Sequence, residues 1–99
     1  MDIRIIKAPS TGTLRIIQRR LSSMELEDIH DFGAVGLLQG KIMDMLYAAD
    51  IAEKTADVCV EDIRGNCPTT MTTLAIFGSV EAVEIAIQEI RKSGKEDGR

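Results

Sequence analysis

The sequence predicts one α+β domain, an antiparallel four-stranded sheet carrying helices. Three observations lead there. Four stretches rich in apolar and β-branched residues, DIRIIKAP, FGAVGLLQG, DVCVEDI and TTMTTLAIFG, each stop at or near a Gly or Pro and read as strands. Three longer stretches carry apolar residues at helical spacing. The third and fourth strands are separated by little more than a Gly-Asn-Cys-Pro turn, so they pair as an antiparallel hairpin.

Each element follows from its residues. DIRIIKAP is a strand stopped by Pro9, and Ser-Thr-Gly after it is turn material. TLRIIQRRLSS sets Leu14, Ile17 and Leu21 on one helical face behind Thr13 as N-cap, while Ile16 breaks that pattern and leaves a strand start as the alternative. SMELEDIHD is an acidic connector. FGAVGLLQG, apolar with glycines at both ends, reads as a buried strand. KIMDMLYAADIAEKTA puts Ile42, Leu46, Ala49 and Ala52 on one stripe and leaves Asp50 and Glu53 outside. DVCVEDI alternates, Val58 and Val60 facing one way, Cys59 and Glu61 the other. TTMTTLAIFG follows the turn. SVEAVEIAIQEIRKS opens on a Ser79 cap and turns Val83, Ala86, Ile87 and Ile90 inward. Its Glu81 and Glu84 sit near the positive helix end, Arg91 and Lys92 near the negative one. Residues 94–99, GKEDGR, are expected to fray. The order is β-α-β-α-β-β-α. The last five elements form a split βαβ sandwich that lacks one strand, and the N-terminal strand supplies it. That is a circular permutation of a ferredoxin-like core, with its helices expected on one face of the sheet.

The totals bound the function. Ninety-nine residues make a single domain, 1–99, with room for one modest core. Aromatics are 3%, so that core is aliphatic. A net charge of -4 argues against a nucleic-acid partner. Arg15, Arg19 and Arg20 read as a solvated or interface face. No apolar run reaches the roughly 20 residues of a membrane span, and the start lacks the order of a signal peptide. The expected location is the cytoplasm, where thiols stay reduced.

Chemistry-bearing residues are few. Cys59 sits early in its strand and Cys67 in the following turn, a separation expected to exceed the Cα reach of a disulfide. Cys59 reads as a half-buried strand residue. His30, among Glu27, Asp28 and Asp31, reads as part of the solvated connector and not as a metal site. Met43, Met45 and Met71 read as core or interface filler, and GAVG as strand packing. No catalytic constellation is visible, so the chain does not read as an enzyme.

In ordered sequence, GAVGLLQGKIMDMLYAADIAEKTADVCVEDI, a glycine turn and LAIFGSVEAVEIAIQEI resemble the domain of bacterial microcompartment shell proteins. The leading RIIKAPSTGTLRIIQRRL resembles the start of the circularly permuted members found in propanediol and ethanolamine compartments. The resemblance spans roughly residues 3–92 and rests on the ordered set, not on one motif. The turn Gly65-Asn66-Cys67-Pro68 is similar to the Gly-X-Cys-Pro turn of members associated with glycyl-radical-enzyme compartments, with Thr69 where that pattern continues with Gln. The N-terminal β-barrel of longer members is expected to be absent.

The resemblance implies a homohexamer that tiles with other shell proteins. It implies a pore lined by Arg64, Gly65, Asn66, Cys67 and Pro68, passing small metabolites or electrons. It also implies that Cys67 from several subunits holds an iron–sulfur cluster, a [4Fe-4S] centre at one per hexamer on the six-fold axis. The residues suit this: thiolates ligate such clusters, Pro68 stiffens the turn, Gly65 permits close approach of neighbouring loops, and Arg64 offsets negative charge. Two alternatives stand beside it: an ordinary metabolite pore without a cluster, and a small-ligand sensor on a ferredoxin-like core.

Overall fold

The computed structural model describes residues 1–21, 32–64 and 71–97, and side chains up to Ser93. The elements are β1 (Asp2–Lys7), α1 (Thr11–Arg20), β2 (Ala34–Lys41), α2 (Ile42–Thr55), β3 (Cys59–Ile63), β4 (Met71–Gly78) and α3 (Val80–Asp97). This is the order expected from the sequence.

The sheet runs β1-β2-β4-β3 with every neighbour antiparallel. β1 pairs with β2 from Asp2↔Gln39 to Lys7↔Ala34. The N-terminal strand therefore occupies the sheet edge that a final strand fills in the unpermuted order. β2 and β4 form the centre, registered from Ala34↔Gly78 to Lys41↔Met71.

Helices cover both faces, which corrects the one-face expectation. On one face α2 and α3 bury Met45, Ala48, Ala52, Val83, Ala86, Ile87 and Ile90 against Ala34, Leu38, Leu74 and Ile76. On the other, α1 buries Leu14, Ile17 and, just past its end, Leu21 against Val35, Ala75 and Phe77. The cause lies in the central strands. Ala34-Val35-Gly36 and Leu74 through Gly78 are buried without alternation, and a strand apolar on both sides needs cover on both. α3 comes close over Gly36, where an added Cβ would stand 3.2 Å from Val83 Cγ1 and 3.3 Å from Ile87 Cδ1.

Three local expectations change. Ser10, not Thr13, caps α1: its Oγ accepts the Thr13 backbone N–H at 3.2 Å, and the helix begins three residues earlier. Ser79 does cap α3, accepting the Ala82 N–H at 3.1 Å. α3 continues through Gly94 to Asp97 instead of fraying after Ser93, since a helical glycine costs only about 1 kcal/mol. The third change is on α2. Its buried residues are Met45, Ala48 and Ala52, while Ile42 and Leu46 lie outside at 41% and 67% exposure.

Phe77, fully buried at the centre of β4, is expected to cost about 3–5 kcal/mol on substitution by Ala. Gly36→Ala is expected to cost about 1–3 kcal/mol, because the neighbours over it are core side chains. Urea unfolding at matched protein concentration checks both. A loss under 1 kcal/mol for Phe77→Ala would contradict the described core.

Candidate functional site

The β3–β4 connection leaves the sheet at Ile63 and returns at Met71. Its base is held from two sides. Towards β4, Ile63 pairs with Thr73, and Thr72 Oγ1 donates to Asp62 Oδ1 at 2.9 Å. Away from β4, β3 is the edge strand, and the residue after α1 closes on it: Leu21 forms an antiparallel bridge with Ile63. The Arg64 N–H donates to Arg20 O at 2.9 Å. Arg20 Nη1 donates to Arg64 O, and Arg64 Nη2 to Leu21 O, each at 3.4 Å. Both arginines are exposed, so two guanidinium groups stand at the base of this turn.

Of the residues expected at the site, the structure places Arg64 at the first position beyond β3. Gly65, Asn66, Cys67 and Pro68 lie outside the described residues, as do Thr69 and the connector with His30. Cys59 opens β3, four residues from Ile63, which puts it about 13 Å from the turn's base. It is half-buried on the α1 face, next to the cluster in which the Phe32 and Phe77 rings stand 5.7 Å apart. That agrees with its reading as a strand residue. No group of three or more His, Cys, Asp or Glu is placed to hold a metal among the described residues.

α1 covers only part of its sheet face. Beyond it Asp2, Arg4, Leu37, Gln39 and Thr73 line a shallow polar hollow, where Gln39 Nε2 donates to Thr73 Oγ1 at 3.0 Å. On α2, Asp50 Oδ2 lies 2.8 Å from Lys54 Nζ, and this hydrogen bond and its charge raise the lysine above its ordinary pKa. The share of any stability that this exposed pair gives through the lysine is present at neutral pH and fades as pH rises through the raised lysine value.

The residues that sequence reasoning placed on the wrong side form a second feature. Ile42, Met43, Leu46 and Tyr47 make a contiguous stripe on α2, with 41–75% of each exposed. A signal for it was present. α2 carries apolar residues at 42, 43, 45, 46, 47, 48, 49, 51 and 52, more than one core-facing stripe can hold. The tie between Arg64 and the end of α1 had no signal, since its partners are 44 residues apart and bond through backbone groups.

A protein-family model described as the BMC domain matches residues 34–99. The match begins at the first residue of β2 and leaves β1 and α1 outside. No curated protein matches the chain. Solved structures do, among them two described as ligand-free GrpU microcompartment shell proteins. The one from Clostridiales bacterium 1_7_47FAA is 43% identical with a TM-score of 0.74, covering 96% of this chain and 93% of that one. The one from Pectobacterium wasabiae is 39% identical with a TM-score of 0.70, covering 91% of this chain and 99% of that one.

Replacing Cys59 by Ser is expected to cost about 1 kcal/mol, the effect of a half-buried hydroxyl in an apolar cluster. Thermal unfolding of Cys59→Ser beside the parent checks this, and failure to fold would contradict the position assigned to it.

Proposed function

The chain belongs to the BMC-domain family of microcompartment shell proteins, and from that premise we propose that it forms a homohexameric shell tile whose Cys67 turn lines the central pore and holds an iron–sulfur cluster. Shell proteins of this family assemble with one another and are structural, not enzymes. The hexamer, the pore and the cluster are the finer reading.

The observation that carries the assembly is the α2 stripe. Four large apolar side chains side by side are left to solvent in a single copy, and a neighbouring copy in a closed ring covers them. A ring also answers the difficulty of the turn. One Cys67 is too few for a cluster, while a ring with one rotation axis gathers a copy from each subunit.

The donor chemistry fits. A thiolate is a soft ligand suited to iron–sulfur centres. Arg20 and Arg64 stand at the turn's base, and fixed positive charge there favours both the thiolate and an anionic centre. When bound, the cluster supplies one-electron chemistry at the pore. Cys67 holds it, and the two guanidinium groups offset its charge. Membership of a shell family sets aside the sensor reading. The ordinary metabolite pore without a cluster is the outcome that the following test opposes to the proposal.

After anaerobic reconstitution, the parent protein is expected to carry about one cluster per six chains, with broad visible absorption. Cys67→Ser is expected to carry none and Cys59→Ser the same as the parent. Equal iron and sulfide in the parent and Cys67→Ser would leave Cys67 an ordinary pore residue.

Charge on the stripe is expected to open the ring. Met43→Glu with Leu46→Glu should shift the native mass from six chains to one or two at micromolar concentration, because it buries unpaired carboxylates at the contact. Retention of the full assembly would place the subunit contact elsewhere.

A further inference from the structure

The part of the sheet that α1 leaves bare is built by three strands. Residues paired directly across strands share a face of the sheet. Asp2 pairs with Gln39, Gln39 with Thr73 and Thr73 with Ile63, the last row that crosses all four strands before Arg64. Two residues further along β1, Arg4 pairs with Leu37 on the same face. Leu37 and Ile63 pack against the α1-side core, which fixes that face as the α1 side. Beyond the reach of the helix, Asp2, Arg4, Leu37, Gln39 and Thr73 line the hollow, whose volume is about 360 Å³.

Its chemistry has two signs. Arg4 Nη1 donates to Ile3 O at 3.0 Å, which holds the guanidinium in place and leaves its other N–H groups as donors. Gln39 Nε2 donates to Thr73 Oγ1 at 3.0 Å, which leaves Gln39 Oε1 as an acceptor. Asp2, directly across from Gln39, adds a carboxylate. Their positions on β1 set the Cα atoms of Asp2 and Arg4 about 7 Å apart, yet neither forms a salt bridge among the described residues. One part of the hollow therefore accepts hydrogen bonds and is negative, and another donates them and is positive. Half-buried Leu37 lies between as an apolar floor.

We propose that this hollow binds a small zwitterion, an α-amino acid, with its ammonium on Asp2 and Gln39 and its carboxylate on the Arg4 guanidinium. An ammonium brings three donors and no acceptor, and a carboxylate beside an amide oxygen answers it. A planar guanidinium matches a carboxylate as a fork. A hydrogen bond of about 2.8 Å at each end lets a ligand with one carbon between its charged groups bridge the two side chains. Asp2 and Arg4 lie on β1, outside the stretch that matches the family model. One chain makes the whole site, so it depends on neither the ring nor the cluster.

The experiment uses the full, iron-free chain and saturation-transfer nuclear magnetic resonance, which reads weak ligands on large assemblies. L-alanine is expected to bind saturably at about 1 mM, a strength open to a ligand of so few atoms. Propionate lacks the ammonium and ethylamine the carboxylate, and each is expected to bind at least about tenfold more weakly. Asp2→Asn and Arg4→Gln should each weaken alanine at least about fivefold, while Asp50→Asn, on the α2 pair, changes it less than about twofold. Both lining residues are exposed, so these variants are expected to fold, and circular dichroism checks that they do. No saturable binding of alanine to the parent up to about 50 mM overturns the proposal. So does parent-like affinity in Asp2→Asn or Arg4→Gln. If either variant does not fold, the ligand series on the parent decides: propionate or ethylamine binding as well as alanine overturns the zwitterion.

Discussion

The pairing of β1 with β2 is the constraint from which the rest of the molecule follows. Two adjacent antiparallel strands need only a short hairpin to join them. Here they are joined by residues 8–33, and the described part of that stretch is α1, lying across the sheet face that α2 and α3 leave bare. The chain departs at β1, at one sheet edge, and its helix ends at β3, at the other. It is back beside β1 by Gly33, whose carbonyl accepts the Ala8 N–H at 2.8 Å. The turn at Ala8, with φ at 48°, is the sharp exit that begins this detour. Moving the final strand of the sheet to the front thus also delivers a helix end to the base of the β3–β4 turn.

The two faces of the sheet carry different duties. On the α2 and α3 face, small residues keep the helices close. Ala48, Ala52 and Ala86 are buried there with Gly36 beneath α3, and bulk comes from Met45, Ile76 and Ile87. That close fit turns the large side chains of α2 outward and creates the apolar stripe. On the α1 face, two inward residues of a ten-residue helix and Leu21 just past its end suffice to cover Val35, Ala75 and Phe77. The polar hollow beyond them stays open. A domain of this size with few aromatics has little apolar surface to spare, so a wide apolar stripe left outside points to assembly.

Much of this was legible in the sequence. Element order, the strand pairing implied by permutation, the inward residues of α1 and α3, the Ser79 cap and the position of Cys59 all follow from periodicity and turn chemistry, which act over a few residues. The errors have a common cause. Assigning one apolar stripe to α2 fails when a helix has two apolar faces, because periodicity cannot say which one meets the sheet. Expecting helices on one face ignored that uninterrupted apolar runs in β2 and β4 need cover on both. Thr13 stands next to the first periodic leucine, but periodicity does not show that the helix starts before its first apolar residue, at the Ser10 cap. The Arg64 tie was illegible for a different reason: its bonds end on backbone carbonyls, which every residue has. At the turn itself, Arg64 alone is among the described residues, so the reading of Cys67 rests on its sequence context and on the chemistry gathered at its base.

The account's central claim is that this turn faces a rotation axis shared by six copies. An electron cryomicroscopy reconstruction of the assembled protein tests it most directly, through the distance of Arg64 from that axis. The account predicts a closed ring of six chains with Arg64 nearer the axis than any part of α2, and the α2 stripe covered by the adjoining subunit. Arg64 at the outer rim, or a ring in which the α2 stripe faces solvent, would contradict it.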